Sequence, residues 1–387
     1  MATEKLYYQD CHMQRFSARV VACTPEEQGY KVVLDATAFY PEGGGQACDV
    51  GTLGETRVLA VHEVGEEVVH ICDKPLNAGQ TVWGQIDYAR RFDLMQQHTG
   101  EHILSGVIHN RYGFHNAGFH VGQQVMEVDF DGVIPASELA EVELEANRAV
   151  WANLPVKCAV PSEAELEDLP YRTKKALSWP VRIVEIPGID SCACCGVHTA
   201  NTGEVGLIKI VSCVKFRQGV RLELACGQRA LCYVNQAWEQ NREISQLLSA
   251  KMPQTAAAVK KLSSQLSEEK LRAAELQRQL FDRIAGDYAG QQDVVHFEKD
   301  LSPAGVRELA ERIAQACNGF AAVFSGEDAA GYTVCLVSQK EDVKALGARL
   351  SDALNGRGGG KPGFFQGSVK ASKSQIEEFF ACSTDSL

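Results

Sequence analysis

Between residues 15 and 86 apolar and polar positions alternate in short runs. These are Phe16-Ser-Ala-Arg-Val-Val-Ala, Tyr30-Lys-Val-Val-Leu, Thr56-Arg-Val-Leu-Ala-Val, Glu67-Val-Val-His-Ile and Thr81-Val-Trp-Gly-Gln-Ile, with Gly, Pro and Asp between them. A period of two broken by turn formers predicts short strands, and strands at this spacing close into a small antiparallel barrel or sandwich. From Phe92 to Ile108 the period changes to that of an amphipathic helix. Further strands are predicted near Val125 to Phe130, and a Glu-rich helix from about Ser137 to Ala152. The apolar run Val181 to Ile186 leads into a loop bearing Cys192, Cys194, Cys195 and His198, and strands follow at Val205 and Val220. Strands and helices mix without regular βαβ alternation, so the predicted class is α+β.

After Val234 the texture shifts. Residues 235 to 286 are dense in Gln, Glu, Lys, Ala and Leu, with a single Pro and no Gly before the end. Val259, Leu262, Leu266, Glu269, Ala273, Leu276 and Leu280 keep a 3,4 spacing with one polar exception, as a coiled-coil seam does. A helical hairpin broken near Met252-Pro253 fits the same residues. From Asp293 α and β signals alternate again and end in a glycine-rich loop and a final helix. The organisation predicted is a β-barrel domain over 1–90, an α+β metal-bearing domain over 91–233, a helical linker over 234–290 and a C-terminal α/β domain over 291–387.

Length and charge narrow the classes. A chain of 387 residues with 45% hydrophobic content is that of an ordinary globular protein of two or three domains. The start lacks an apolar signal core, and no stretch approaches about 18 consecutive apolar residues, so a cytosolic protein with no membrane partner is expected. Fourteen cysteines then read as reduced thiols, with Cys226, Cys232, Cys317 and Cys335 as core residues. The net charge of −12 counts against non-specific nucleic-acid binding and leaves only local basic patches. Candidates are Arg90 with Arg91, Arg172 with Lys174 and Lys175, and Arg357 with Lys361, Lys370 and Lys373; each also fits a solvated face.

Two short runs carry metal chemistry: His98-Thr-Gly-Glu-His102 and, about ninety residues on, Cys194-Cys-Gly-Val-His198. Each holds two candidate ligands spaced i, i+4, which on a helix lie on one face, about 5–6 Å apart at Cβ. One such pair is weak evidence by itself. Together the four groups complete an N/S donor set suited to Zn²⁺. Four protein ligands make a closed structural site, whereas three leave a position for water or substrate.

The pair of motifs resembles the metal signature of the editing domain of alanyl-tRNA synthetase and of its free-standing relatives, the AlaX-type alanyl-tRNA editing proteins. Two more runs support the resemblance. Leu34 to Gly51, with Thr37, Gly43, Gly44, Gly45 and Gln46, is similar to the family's threonine- and glycine-rich segment, and Gly356 to Gly367 is similar to the glycine-rich signature of the synthetase's C-terminal domain. The resemblance implies a trans-editing hydrolase of the long type that removes serine, or glycine, from mischarged tRNA for alanine. It implies zinc on His98, His102, Cys194 and His198, with Thr37 and Gln46 at the reacting ester. Substrate contacts would come from Gly43, Gly44, Gly45, Arg357 and Lys361, and a homodimer could form through the helical linker and C-terminal domain. In this reading the Thr37 hydroxyl bonds the serine side chain. Where relatives read Cys-Gly-Gly-Thr-His, this chain has Cys194-Cys-Gly-Val197-His198, with Cys192 just before. That leaves Cys195 as second choice for the thiol ligand and removes a hydroxyl near the metal. A non-catalytic zinc protein that binds tRNA, or an editor of a threonine-type tRNA, fits the same motifs.

Overall fold

A computed structural model describes residues 2–27, 29–173, 177 and 179–383. The chain is mixed α and β and clusters into two compact units, Met1–Ile244 and Ser245–Leu387. All fourteen cysteines are free thiols.

In the first unit six strands close a barrel in the order Arg15–Glu26, Gly29–Leu34, Glu67–Cys72, Thr56–Val64, Gly51–Leu53, Thr81–Ile86, every pairing antiparallel. Alternation builds the interior: Phe16, Ala18 and Val20 point inward from the first strand while their neighbours face water. The histidine helix, Tyr88–Tyr112, leaves the last barrel strand under the Asp87 cap, whose side chain accepts from the Arg90 amide. It is buried along most of its length, polar residues included, because it lies between the barrel and a second sheet. That sheet runs Ile208–Phe216, Gly219–Cys226, Met126–Phe130, Asn116–Val121, and the helix Leu139–Trp151 packs on its core. A three-stranded sheet, Lys157–Ala159, Ile183–Ile186 and Asp190–Ala193, delivers the cysteine loop.

Arg91 corrects the charge-patch expectation. Its guanidinium is fully buried, pairs with Asp49 and donates to the Ala38 carbonyl, so it cannot meet a phosphate. Asp49 in turn accepts from the Tyr40 amide at 2.5 Å. Cys232 is a second correction, because the helix Gly227–Leu247 turns it outward and exposes it.

In the second unit a one-turn 3-10 segment at Met252–Gln254 precedes the helix Thr255–Asp287, as the Pro253 break predicts. A five-stranded sheet follows, Val294–Glu298, Phe320–Glu327, Gly331–Ser338, Phe364–Val369, Arg357–Lys361, with one parallel pair at its edge. The expected glycine-rich loop is in fact the edge hairpin of this sheet, Arg357–Lys361 paired with Phe364–Val369 around Pro362-Gly363. Glycine suits that edge because a Cβ at Gly358 or Gly360 would strike Phe365 or the Phe364 carbonyl.

Candidate metal centre

His98, His102, Cys194 and His198 offer ligand atoms that all lie within 4.8 Å of one another, and no second cluster among the described residues brings as many such groups together. The histidine helix supplies the first two at i, i+4. The second pair sits in a loop rather than on a helix, bent at Gly196, so its spacing comes from a turn. A Cβ on Gly196 would lie 2.1 Å from His98 Cε1, so only glycine lets the loop close over that ring.

Each imidazole is oriented through its Nδ1. His98 Nδ1–H donates to Gln46 Oε1 at 2.8 Å, and His102 Nδ1–H to Asp190 Oδ2 at 2.9 Å. His198 Nδ1 meets the Thr99 hydroxyl at 3.4 Å. The three Nε2 atoms are therefore left for the centre: His98 Nε2 is 3.3 Å from Cys194 Sγ, and His198 Nε2 is buried with no other partner among the described residues. Fixing the tautomer from behind is how proteins prepare histidine for a metal. Burial pushes the His198 ring down to about 3, which keeps it neutral. Burial acts upward on the Cys194 thiol, but the imidazoles of His98, His102 and His198 around it outweigh burial and hold the group well below a normal thiol. A neutral imidazole and a thiolate are the forms a metal binds. Asp190 also lies near Cys192, yet its carboxylate is taken by His102 and by the Arg172 fork at 2.7 and 2.8 Å, so it orients the His102 ring.

Beside this centre lies a cavity of about 590 Å³ whose wall includes His98, His102 and Cys194 but not His198. Gly44 and Gly45 form part of the same wall. Both have positive φ, 57° and 80°, in a two-residue turn closed by mutual hydrogen bonds between Gly43 and Gln46. That hairpin carries Gln46 to His98, across 52 residues of sequence.

Family models match three stretches of the chain: "Threonyl and Alanyl tRNA synthetase second additional domain" over residues 181–222, "tRNA synthetases class II (A)" over residues 2–90, and "DHHA1 domain" over residues 290–385. Alanyl-tRNA editing protein Aarsd1 of Danio rerio is 29% identical over 389 residues, 95% of this chain and 94% of the relative. Its counterpart in Mus musculus is 30% identical over 391 residues, with 95% and 94% covered. The chain belongs to the alanyl-tRNA editing protein family. Alanine--tRNA ligase of Pyrobaculum neutrophilum is 33% identical over 398 residues, which span 97% of this chain and 44% of the ligase.

Thr37 stands apart from the cavity. Its hydroxyl is wholly buried in the barrel, where it bonds His70 Nε2 at 2.8 Å and accepts from the Phe39 amide at 3.1 Å. His70 Nδ1–H donates to the Val32 carbonyl, and burial lowers this ring to about 4, so it stays neutral and accepts the threonine proton. A hydroxyl so committed cannot read a substrate side chain, and this corrects the sequence expectation for Thr37. Arg172 is likewise committed to Asp190, whereas its expected companions Lys174 and Lys175 lie outside the described residues. Arg357 and Lys361 are exposed on the edge strand of the second unit. Val197 packs in an apolar cluster with Tyr7, Tyr40 and Met95, and the hydroxyl it lacks is supplied to His198 by Thr99. Asp190 and Thr99 were not found from sequence, since neither belongs to a ligand spacing.

Proposed function

We propose that the protein is a trans-editing hydrolase that removes serine, and secondarily glycine, from mischarged tRNA for alanine, using one zinc ion held by His98, His102 and Cys194 with His198 behind them. The convergence of three pre-oriented imidazoles and a thiolate, with two of the imidazoles and the thiolate on the wall of a cavity, carries this reading. The N/S donor set and the otherwise unpartnered His198 Nε2 fit zinc. Bound there, zinc would supply Lewis acidity toward an ester carbonyl or a bound water.

The chain's own residues then do the positioning. Gln46 spends its carbonyl on His98 and on the Val197 amide, while its buried Nε2 has no partner among the described residues. That amide N–H is suited to hold a carbonyl oxygen of the ester. The Gly44-Gly45 turn lets the ester approach backbone closely, and Thr37 stiffens the strand leading to it. Arg357 and Lys361, on a separate unit, offer phosphate contacts that raise the local concentration of tRNA. The seam residues Val259, Leu262, Leu266, Leu276 and Leu280 are between 47% and 56% exposed, an apolar stripe open to pairing with a second copy; light scattering at the monomer mass would reject that pairing.

Deacylation of Ser-tRNA(Ala) and Gly-tRNA(Ala), with Ala-tRNA(Ala) as control and metal content measured in parallel, tests the reading. Loss of metal together with activity in His102→Ala and Cys194→Ala is expected. Full metal occupancy in both variants, or no hydrolysis by the native protein, sinks it. The four-ligand set also favours a second reading, a closed zinc site in a non-catalytic tRNA-binding protein, which predicts tRNA binding without deacylation. Hydrolysis confined to a threonine-type tRNA would instead reassign the substrate.

A further inference from the structure

Two side chains hold three successive carbonyls of the loop that carries Cys194 and His198. The Tyr8 hydroxyl donates to the Cys195 carbonyl at 2.7 Å, across 187 residues of sequence. Arg182 Nη1 donates to the Cys194 and Gly196 carbonyls at 2.8 and 2.9 Å. The pair also holds itself together, because the guanidinium carbon lies 4.4 Å from the centre of the Tyr8 ring. Tyr8 ends the short 3-10 segment Leu6–Tyr8 and packs against the apolar cluster that contains Val197. A planar trans peptide points its carbonyl and the N–H that follows in opposite directions. Holding a carbonyl therefore aims the next amide. The peptide whose carbonyl Tyr8 binds sends the Gly196 N–H to Cys194 Sγ at 3.3 Å. The peptide that Arg182 binds at the Gly196 carbonyl sends the Val197 N–H to Gln46 Oε1 at 3.3 Å, the oxygen that also accepts from His98 Nδ1.

We propose that Tyr8 and Arg182 are positioning residues of the metal centre, a clamp that aims the Gly196 amide at the ligand sulfur and the Val197 amide at the oxygen behind His98. The inference rests on the reading of His98, His102 and Cys194 as metal ligands. Without the Tyr8 hydroxyl the peptide between Cys195 and Gly196 is free to turn, and the sulfur loses its donor. That donor matters because hydrogen bonds around a cysteine sulfur tune how readily it gives electron density to a metal. A substrate contact is the rival role for Arg182, since it lies on the wall of the cavity beside the ligands. The sharing of its Nη1 between two loop carbonyls favours the clamp.

Tyr8→Phe keeps the ring beneath Arg182 and deletes only the hydroxyl. Zinc competition and the absorption spectrum of the cobalt-loaded protein read the outcome on the full chain, with folding checked by circular dichroism. Zinc affinity is expected to fall by roughly 2- to 10-fold, the worth of one hydrogen bond. The thiolate-to-cobalt band should move to longer wavelength, because a sulfur without its donor gives up an electron more readily. Arg182→Ala releases two carbonyls at once and is expected to weaken zinc by roughly 10- to 100-fold. An unmoved cobalt band in Tyr8→Phe overturns the proposal, and so does an Arg182→Ala variant that raises KM for Ser-tRNA(Ala) at native zinc affinity. If Arg182→Ala does not fold, Arg182→Lys, which keeps the charge without the planar fork, must bind zinc more weakly than the native protein; equal affinity there is just as fatal. A native protein that takes up neither zinc nor cobalt points instead to failure of the metal reading itself.

Discussion

Asp190→Asn probes the device that aims His102. The carboxylate accepts from His102 Nδ1 on one oxygen and forks with Arg172 across both, with 1% of the Asp190 side chain and 12% of Arg172 exposed. The amide keeps the shape but has one acceptor where two are needed. Its NH₂ must face either the guanidinium or the imidazole N–H. Breaking a buried ion pair costs about 3–5 kcal/mol; the partial wetting of Arg172 places this one at the lower end, about 3 kcal/mol. For a unit of this size that is a fall in Tm of roughly 6–12 °C. Loss of the partner behind a metal-binding histidine costs about 10–100-fold in affinity, or about 1.4–2.7 kcal/mol. Zinc competition against a chromophoric chelator, with urea unfolding of the metal-free protein alongside, measures both quantities. Zinc affinity within twofold of native in a folded Asp190→Asn protein would refute the view that Asp190 prepares His102.

Other outcomes follow from the same geometry. Gly196→Ala puts a Cβ into the His98 ring and is expected to cost about 1–3 kcal/mol and most of the metal affinity; an unchanged zinc titration would show that the loop can move aside. Thr37→Val removes a hydroxyl that serves both His70 and the Phe39 amide, so about 1–3 kcal/mol of stability should go while the Ser-tRNA to Ala-tRNA rate ratio stays native; a changed ratio at native stability reverses that assignment. In the metal-free protein burial acts to lower His102, but hydrogen bonds to Asp190 and Cys194 hold its pKa above the usual value. Its contribution to stability is therefore full below about pH 6.5 and is lost as pH rises through the raised folded value. Zinc binding displaces protons and strengthens in the same direction, so the gain in Tm on adding zinc should grow from pH 6 to pH 8, and equal gains at both would contradict it.

The barrel strands, the histidine helix and the Pro253 break were legible because period, turn formers and the missing proline N–H act locally. The grouping of His98, His102, Cys194 and His198 was legible because a metal demands a fixed inventory of donors, and these four do come together. What lay behind them was not. Asp190 and Thr99 reach their histidines across 88 and 99 residues, and no spacing rule links such partners. Thr37 was misjudged for a related reason: strand alternation assigns a face, but it cannot say that a buried hydroxyl already has His70 opposite it. Arg91 reads as a surface charge beside Arg90 until the fold puts Asp49 against it. The glycines at 356 to 367 suggested a loop by composition, whereas the pairing across Pro362-Gly363 needs their small size to let two strands meet.

The sequence divides at about residue 90, where strands give way to helix, yet residues 1–244 form one compact unit, and the site explains why they cannot be parted. Two contacts cross that boundary at high energetic stakes. Arg91, fully buried, depends on Asp49 and on the Ala38 carbonyl, and His98 depends on Gln46. Removing residues 1–90 would strip the histidine helix of its Asp87 cap and of the barrel residues that hold Arg91, and would expose the start of that helix to water. It would also free the His98 ring to rotate, at about 10–100-fold in metal affinity. A chain beginning at Arg91 retains all four ligand residues, so a donor inventory by itself predicts normal zinc binding. The structure predicts instead a protein that unfolds at far lower urea and holds zinc weakly if at all. Zinc titration of the shortened chain separates the two, and native affinity there would mean that the barrel is a neighbour of the metal centre and no part of it.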